Sequence, residues 1–150
     1  MIRFFKVLIL VFVLLMVVVG CKKYDYGPTF SLRSKKARLV GNWVTEKWMM
    51  DKFSYSKVLD SNRRVEFTKD GGYSFHQTNP ATSVETTLAG TWDFKQEKEQ
   101  LLLGLPTGIN GAMNYVVWDI ICLKHKALWL ERVDYGYPHS TLYEWHLKAE

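Results

Sequence analysis

From Asn42 onward, apolar side chains return at every second position in eight separate segments, and this rhythm constrains the fold more than any other feature of the chain. A period of two sends alternate side chains to opposite faces of a β-strand, one toward a core and one toward water. The segments are residues 42–50, 65–67, 73–75, 88–95, 101–103, 115–123, 127–133 and 141–148, the first of them alternating only weakly. In the fourth, Leu88, Gly90, Trp92 and Phe94 oppose Thr91, Asp93 and Lys95. In the eighth, Tyr143, Trp145 and Leu147 oppose Glu144, His146 and Lys148. Between the second and third lies Lys69-Asp70-Gly71-Gly72, a hairpin signal because glycine supplies the positive φ that tight turns require.

Eight antiparallel strands joined in order can close on themselves around side chains or one small ligand. The predicted fold is therefore all-β, an eight-stranded antiparallel up-and-down barrel preceded by one short helix. A two-sheet sandwich is the competing architecture. Connections after the second, fourth and sixth strands are short, at residues 69–72, 96–100 and 124–126. Those after the first, third, fifth and seventh are long, at 51–63, 78–87, 104–114 and 134–140. In a meander, alternate connections lie at the same end, so one end is expected to be tight and the other a rim of long loops carrying Tyr55, Tyr135 and Tyr137. Ser31 is the expected cap of a marginal helix reaching about Val40, placed under the tight end.

The first twenty residues follow another logic. Arg3 and Lys6 precede an unbroken apolar run of thirteen, residues 7–19, and then Gly20-Cys21. A spanning helix needs about 20 apolar residues, so the run fits the core of an export signal. Val18-Val19-Gly20-Cys21 resembles the lipobox of bacterial lipoproteins. The resemblance implies cleavage before Cys21, lipidation of Cys21 and attachment to a membrane of the cell envelope, with a plain secretory leader or an uncleaved anchor as the alternatives. Lys22 is not the aspartate that retains enterobacterial lipoproteins in the inner membrane, which implies the outer one. The expected division is a signal peptide at 1–20, a lipidated tether at 21–30 and a barrel domain at 31–150.

The formal charge of +5 and pI near 9.2 belong mostly to the leader and tether, because from Leu39 onward there are 12 basic and 14 acidic residues. That balance speaks against a nucleic-acid partner. The basic residues between Lys22 and Arg38 read as solvated linker charge, with attraction to anionic head groups as the alternative.

Arg38-Leu39-Val40-Gly41-Asn42-Trp43, at the entry to the first strand, resembles the Gly-x-Trp signature of lipocalins and the wider calycin group. With Val65-Glu66-Phe67, Gly90-Thr91-Trp92 and the strand holding Leu128 and Leu130, the chain is similar to the lipocalin-like lipoproteins of Bacteroidetes. The resemblance implies a tryptophan packed across the barrel floor. It also implies a small hydrophobic ligand inside, or a barrel filled by its own side chains. Trp43, Phe67, Tyr73, Phe75, Trp92, Phe94, Tyr143 and Trp145 are the candidate interior, serving as ligand contacts in the first case and plain core in the second.

No catalytic or metal constellation stands out. His76, His125, His139 and His146 are scattered without carboxylate or cysteine neighbours at ligand spacing, and no cofactor is implied. Cys122 sits in an apolar run and reads as a small buried hydrophobe, with a reactive thiol as the sharper alternative. Asp119 shares a face with Val117, Ile121 and Leu123, so either that face is the outer one or a carboxylate enters the barrel. Two functions follow: a lipid-anchored binder of a small apolar molecule, or an interaction module whose long-loop rim grips an envelope protein or inhibits an enzyme. A void of a few hundred Å³ would favour the first.

Overall fold

The computed structural model describes residues 26, 31–51, 53–54, 63–107 and 112–150. The leader, Cys21 and the rim residue Tyr55 lie outside the described residues.

Among the described residues nine strands are formed: β1 (Gly41–Met50), β2 (Phe53–Ser54), β3 (Arg63–Phe67), β4 (Gly72–Thr78), β5 (Glu85–Lys95), β6 (Gln100–Pro106), β7 (Met113–Leu123), β8 (Ala127–Asp134) and β9 (Thr141–Ala149). From β3 to β9 each strand pairs antiparallel with the next. The first strand pairs with β3 on one side and with β9 on the other, which seals the wall. The result is an eight-stranded up-and-down barrel, with the two-residue β2 as an extra flap on β1 that the sequence pattern did not show. The β1–β9 seam rules out the sandwich.

The predicted strands are all present, several of them longer than their apolar cores. The β4–β5 hairpin extends to Thr78 and Glu85, and β6–β7 to Pro106 and Met113. Backbone pairing continues through polar residues once the register is set. Two of the long connections therefore shrink to 79–84 and 107–112.

Two bulges explain the weak rhythm of β1 and the puzzle of Asp119. In β1 the register shifts between Thr45 and Lys47, so Trp43 and Thr45 face inward with Leu147, and after Glu46 it is Trp48 that faces inward beside Trp145. In β7 the register shifts between Ile120 and Cys122. Trp118, Ile120 and Leu123 reach the core, and Asp119 points outward, accepting a hydrogen bond from Gln100 Nε2 at 2.7 Å. One inserted residue reverses every side chain beyond it.

The tight end is plugged by helix α1 (Lys35–Leu39). Its cap is Ser34 rather than Ser31: Ser34 Oγ accepts from the Ala37 amide at 3.1 Å, whereas Ser31 Oγ accepts from the Arg33 amide, two residues on. Leu39 is fully buried, and Trp43 crosses the floor with its indole nitrogen donating to the Leu39 carbonyl at 2.8 Å. Gly41, between them, has φ +141°, a conformation that side chains resist, so the signature glycine is required by the turn from helix into strand.

Of the basic residues before β1, Arg33, Lys35 and Arg38 are not loose linker charge, while Lys22 and Lys23 lie outside the described residues. Lys35 Nζ donates to the carbonyls of Glu97 and Lys98, Arg38 Nη1 donates to Leu123 O at 2.9 Å, and Arg33 Nη1 lies 3.2 Å from His125 Nδ1. These bonds tie α1 to the two turns that follow β5 and β7, satisfying carbonyls that the tight turns leave open.

Candidate functional site

The interior is divided along the barrel axis. Toward the plugged end, Trp43, Val65, Phe67, Trp92, Leu101, Leu128 and Leu147 form a continuous core. Ring contacts tie it together, with Phe67 and Trp92 at 6.0 Å and Trp92 and Phe94 at 5.4 Å, both edge-on. Toward the long-loop end the packing opens into a cavity of about 360 Å³.

Three tryptophans, Trp48, Trp118 and Trp145, line the cavity, meeting one another at 5.5 to 6.0 Å between ring centres. Tyr73, Phe75, Leu88, Leu103, Leu105 and Val116 complete its apolar wall, and the polar lining is Arg63, Gln77 and Arg132. Burial pushes the Tyr73 phenol well above its usual range, so it stays neutral. Below the cavity, Trp145 Nε1 donates to Thr45 Oγ1 at 3.0 Å, an internal polar pair that is fully satisfied.

Of the eight predicted interior residues, Tyr73, Phe75 and Trp145 line the cavity. Trp43, Phe67 and Trp92 belong to the closed-end core, with Phe94 packed against it. Tyr143 is partly buried, under the Arg132 guanidinium at 5.0 Å from its ring centre. On the rim, Tyr135 and Tyr137 are exposed.

Beyond Gln77, Leu88, Leu103, Leu105 and Val116, the lining residues outside the predicted set are two tryptophans and two arginines. Trp48 and Trp118 were hidden by weak or ambiguous phase near the bulges. Arg63 and Arg132 were legible: each stands two residues from an inward apolar residue, Val65 or Leu130, and the period carries it inside.

Other features lie apart from the cavity. A larger depression of about 850 Å³ lies outside the wall, among outward residues of β5 and the turn at Gln96–Lys98. It mixes both signs of charge. Among the described residues, no group of three His, Cys, Asp or Glu side chains could hold a metal ion. Cys122 is buried on the outer face, where Tyr26 covers it: the Tyr26 amide donates to Ile121 O at 3.0 Å, and the thiol donates to Tyr26 O at 3.4 Å. Burial raises the thiol above its ordinary range, which suppresses the nucleophilic thiolate.

The fold and the cavity together define a class: an up-and-down barrel plugged at one end and hollow at the other. No family model matches the sequence, and no curated protein matches it. Among solved structures, the chain is similar to the bovine lipocalin allergen Bos d 2, over 75% of this chain and 73% of that one, at 16% identity and a TM-score of 0.43. It is also similar to bovine odorant-binding protein, whose structure holds a selenium-containing odorant, over 81% of this chain and 76% of that one, at 13% identity and a TM-score of 0.44.

Proposed function

We propose that this chain is a lipid-anchored, lipocalin-like binding protein of the bacterial cell envelope that holds a small hydrophobic molecule in the open half of its barrel. The observation that carries this reading is the cavity of about 360 Å³. A filled barrel would have none, and this volume lies within the range of small-molecule sites. Its wall is aromatic and aliphatic with a few polar groups at one end, the composition that binds an apolar body and orients it.

Attachment to the membrane follows from the lipobox-like Val18-Val19-Gly20-Cys21, with the outer membrane favoured by Lys22. Two or more acyl chains are enough to hold such a domain stably. Because the tether enters from the plugged end, the mouth faces away from the bilayer. Crosslinks placing Asn79 or Gly136 nearer the lipid than Gly71 would reverse that orientation.

The test of binding is intrinsic fluorescence, since three tryptophans line the cavity. Titration with long-chain alcohols, sterols and fatty acids is expected to give a saturable change with at least one of them. A flat response to the whole panel removes the proposal in favour of the rim reading, in which exposed Tyr135 and Tyr137 contact an envelope protein. Anchoring is tested by Cys21→Ser, which is expected to release the protein from the membrane fraction.

A further inference from the structure

Two arginines occupy inward positions near the mouth, where the strand rhythm otherwise places apolar side chains. Arg63 opens β3, and Arg132 lies near the far end of β8. Aromatic faces hold both guanidinium groups. Arg132 lies 5.0 Å from the ring centres of both Trp118 and Tyr143, and Arg63 lies 5.8 Å from that of Trp48. Stacking engages the π-face of a guanidinium and leaves its in-plane N–H donors free for an acceptor.

Those donors are not used up. The Nε atoms of Arg63 and Arg132 are both buried and have no hydrogen-bond partner. Asp134 accepts from Arg132 Nη2 at 2.7 Å, beyond the cavity edge, and among the described residues no carboxylate pairs with Arg63. Arg38 Nε is also without a partner, but that side chain is anchored through Nη1 at the plugged end and does not line this cavity. No aspartate or glutamate lines the cavity, so its charged lining is wholly cationic. Both side chains are half-buried, with buried Nε–H donors that remain open, and guanidinium geometry suits an oxyanion that would meet them.

We infer that the cavity takes a single-chain amphiphile whose head is an oxyanion, with the head between Arg63 and Arg132 and the chain against the tryptophans. This rests on the reading of the cavity as a ligand site. Since water takes about 30 Å³ in the liquid, the volume corresponds to roughly a dozen water-sized groups, which suits one alkyl chain of about ten carbons.

The test uses the full chain in lipid nanodiscs with empty discs as the blank, titrated with decanoate, decyl phosphate, decanol and decylamine and followed by tryptophan fluorescence. At least one of the two anions is expected to bind about tenfold or more tighter than decanol, with decylamine weakest. Decanoate against decyl phosphate tells a carboxylate head from a phosphate. Arg63→Met and Arg132→Met are each expected to collapse the anion-to-decanol affinity ratio toward one, and the wild-type comparison stands even if a variant fails to fold. Equal binding of all four probes, or tightest binding of decylamine, overturns the anionic head while leaving a ligand site in place. Binding of none of them, nor of any sterol, overturns the ligand site itself.

Discussion

The Trp145 indole nitrogen donates to the Thr45 hydroxyl across the β1–β9 seam, at 3.0 Å and in the buried interior. Thr45 is the buried polar side chain of a core that is otherwise apolar among the described residues. Thr45→Val keeps the shape and removes the acceptor, leaving an indole N–H without a partner. The expected loss is about 1–3 kcal/mol of stability, read as a lower denaturant midpoint. An unchanged midpoint would mean that the indole finds another acceptor.

Gly90 lies where β5 leaves no room for a side chain against β6. A Cβ built there collides with the Gly104 carbonyl oxygen, which is backbone and cannot rotate away. Gly90→Ala is therefore expected to cost about 3 kcal/mol or to force local unpairing of β5 from β6. Hydrogen exchange at Thr91 and Gly104 separates the two outcomes, and native protection with native stability would refute the collision.

His146 lies on the outer face, stacked on Trp129 at 4.6 Å between ring centres. Burial lowers its pKa below the ordinary 6.5, against the opposing pull of Glu144. With the folded value depressed, the folded state binds fewer protons than the unfolded one. Its contribution to stability is complete above about pH 6.5 and is lost as pH falls through the folded value. Melting temperature is expected to drop between about pH 7.5 and about pH 5, and His146→Gln is expected to flatten that slope. A variant as pH-sensitive as the parent would assign the slope to another group.

Tyr26 controls access to Cys122. In the parent protein the thiol is expected to react slowly with maleimide, being buried and raised in pKa. Tyr26→Ala is expected to speed labelling at Cys122 about tenfold or more, measured on the Cys122 peptide by mass spectrometry. Equal rates would show that exposure of this thiol is governed by opening of the wall rather than by Tyr26.

Val116 faces the cavity from β7. Val116→Trp is expected to fill much of the void and abolish the fluorescence response to apolar ligands, while changing stability by less than about 1.5 kcal/mol. Retained binding would place the ligand elsewhere.

The course of the wall was legible in the sequence because the period of two is a direct consequence of strand geometry, as in Leu88, Gly90, Trp92 and Phe94. The floor was legible too, since only a glycine tolerates the conformation between Leu39 and Trp43. The upper cavity was less so. The bulges at Glu46 and Ile121 interrupt the period, and a bulge leaves little local signature when its residues are ordinary. The arginines fall on the inward phase of their strands, but charge at a strand end usually meets water, so phase alone does not single them out. The division into a packed lower half and a hollow upper half depends on how side chains from eight strands meet, and no single segment records that.

The seam joins side chains one hundred positions apart, Thr45 and Trp145. Every other pairing in the barrel joins neighbouring segments of the chain, β1 to β3 passing only the two-residue β2, and can form while synthesis continues. The first strand, however, must wait with one open edge until the last has emerged, and such distant pairings slow folding. Until then the wall stays open along one side, and pairing of the final strand is what turns it into a vessel.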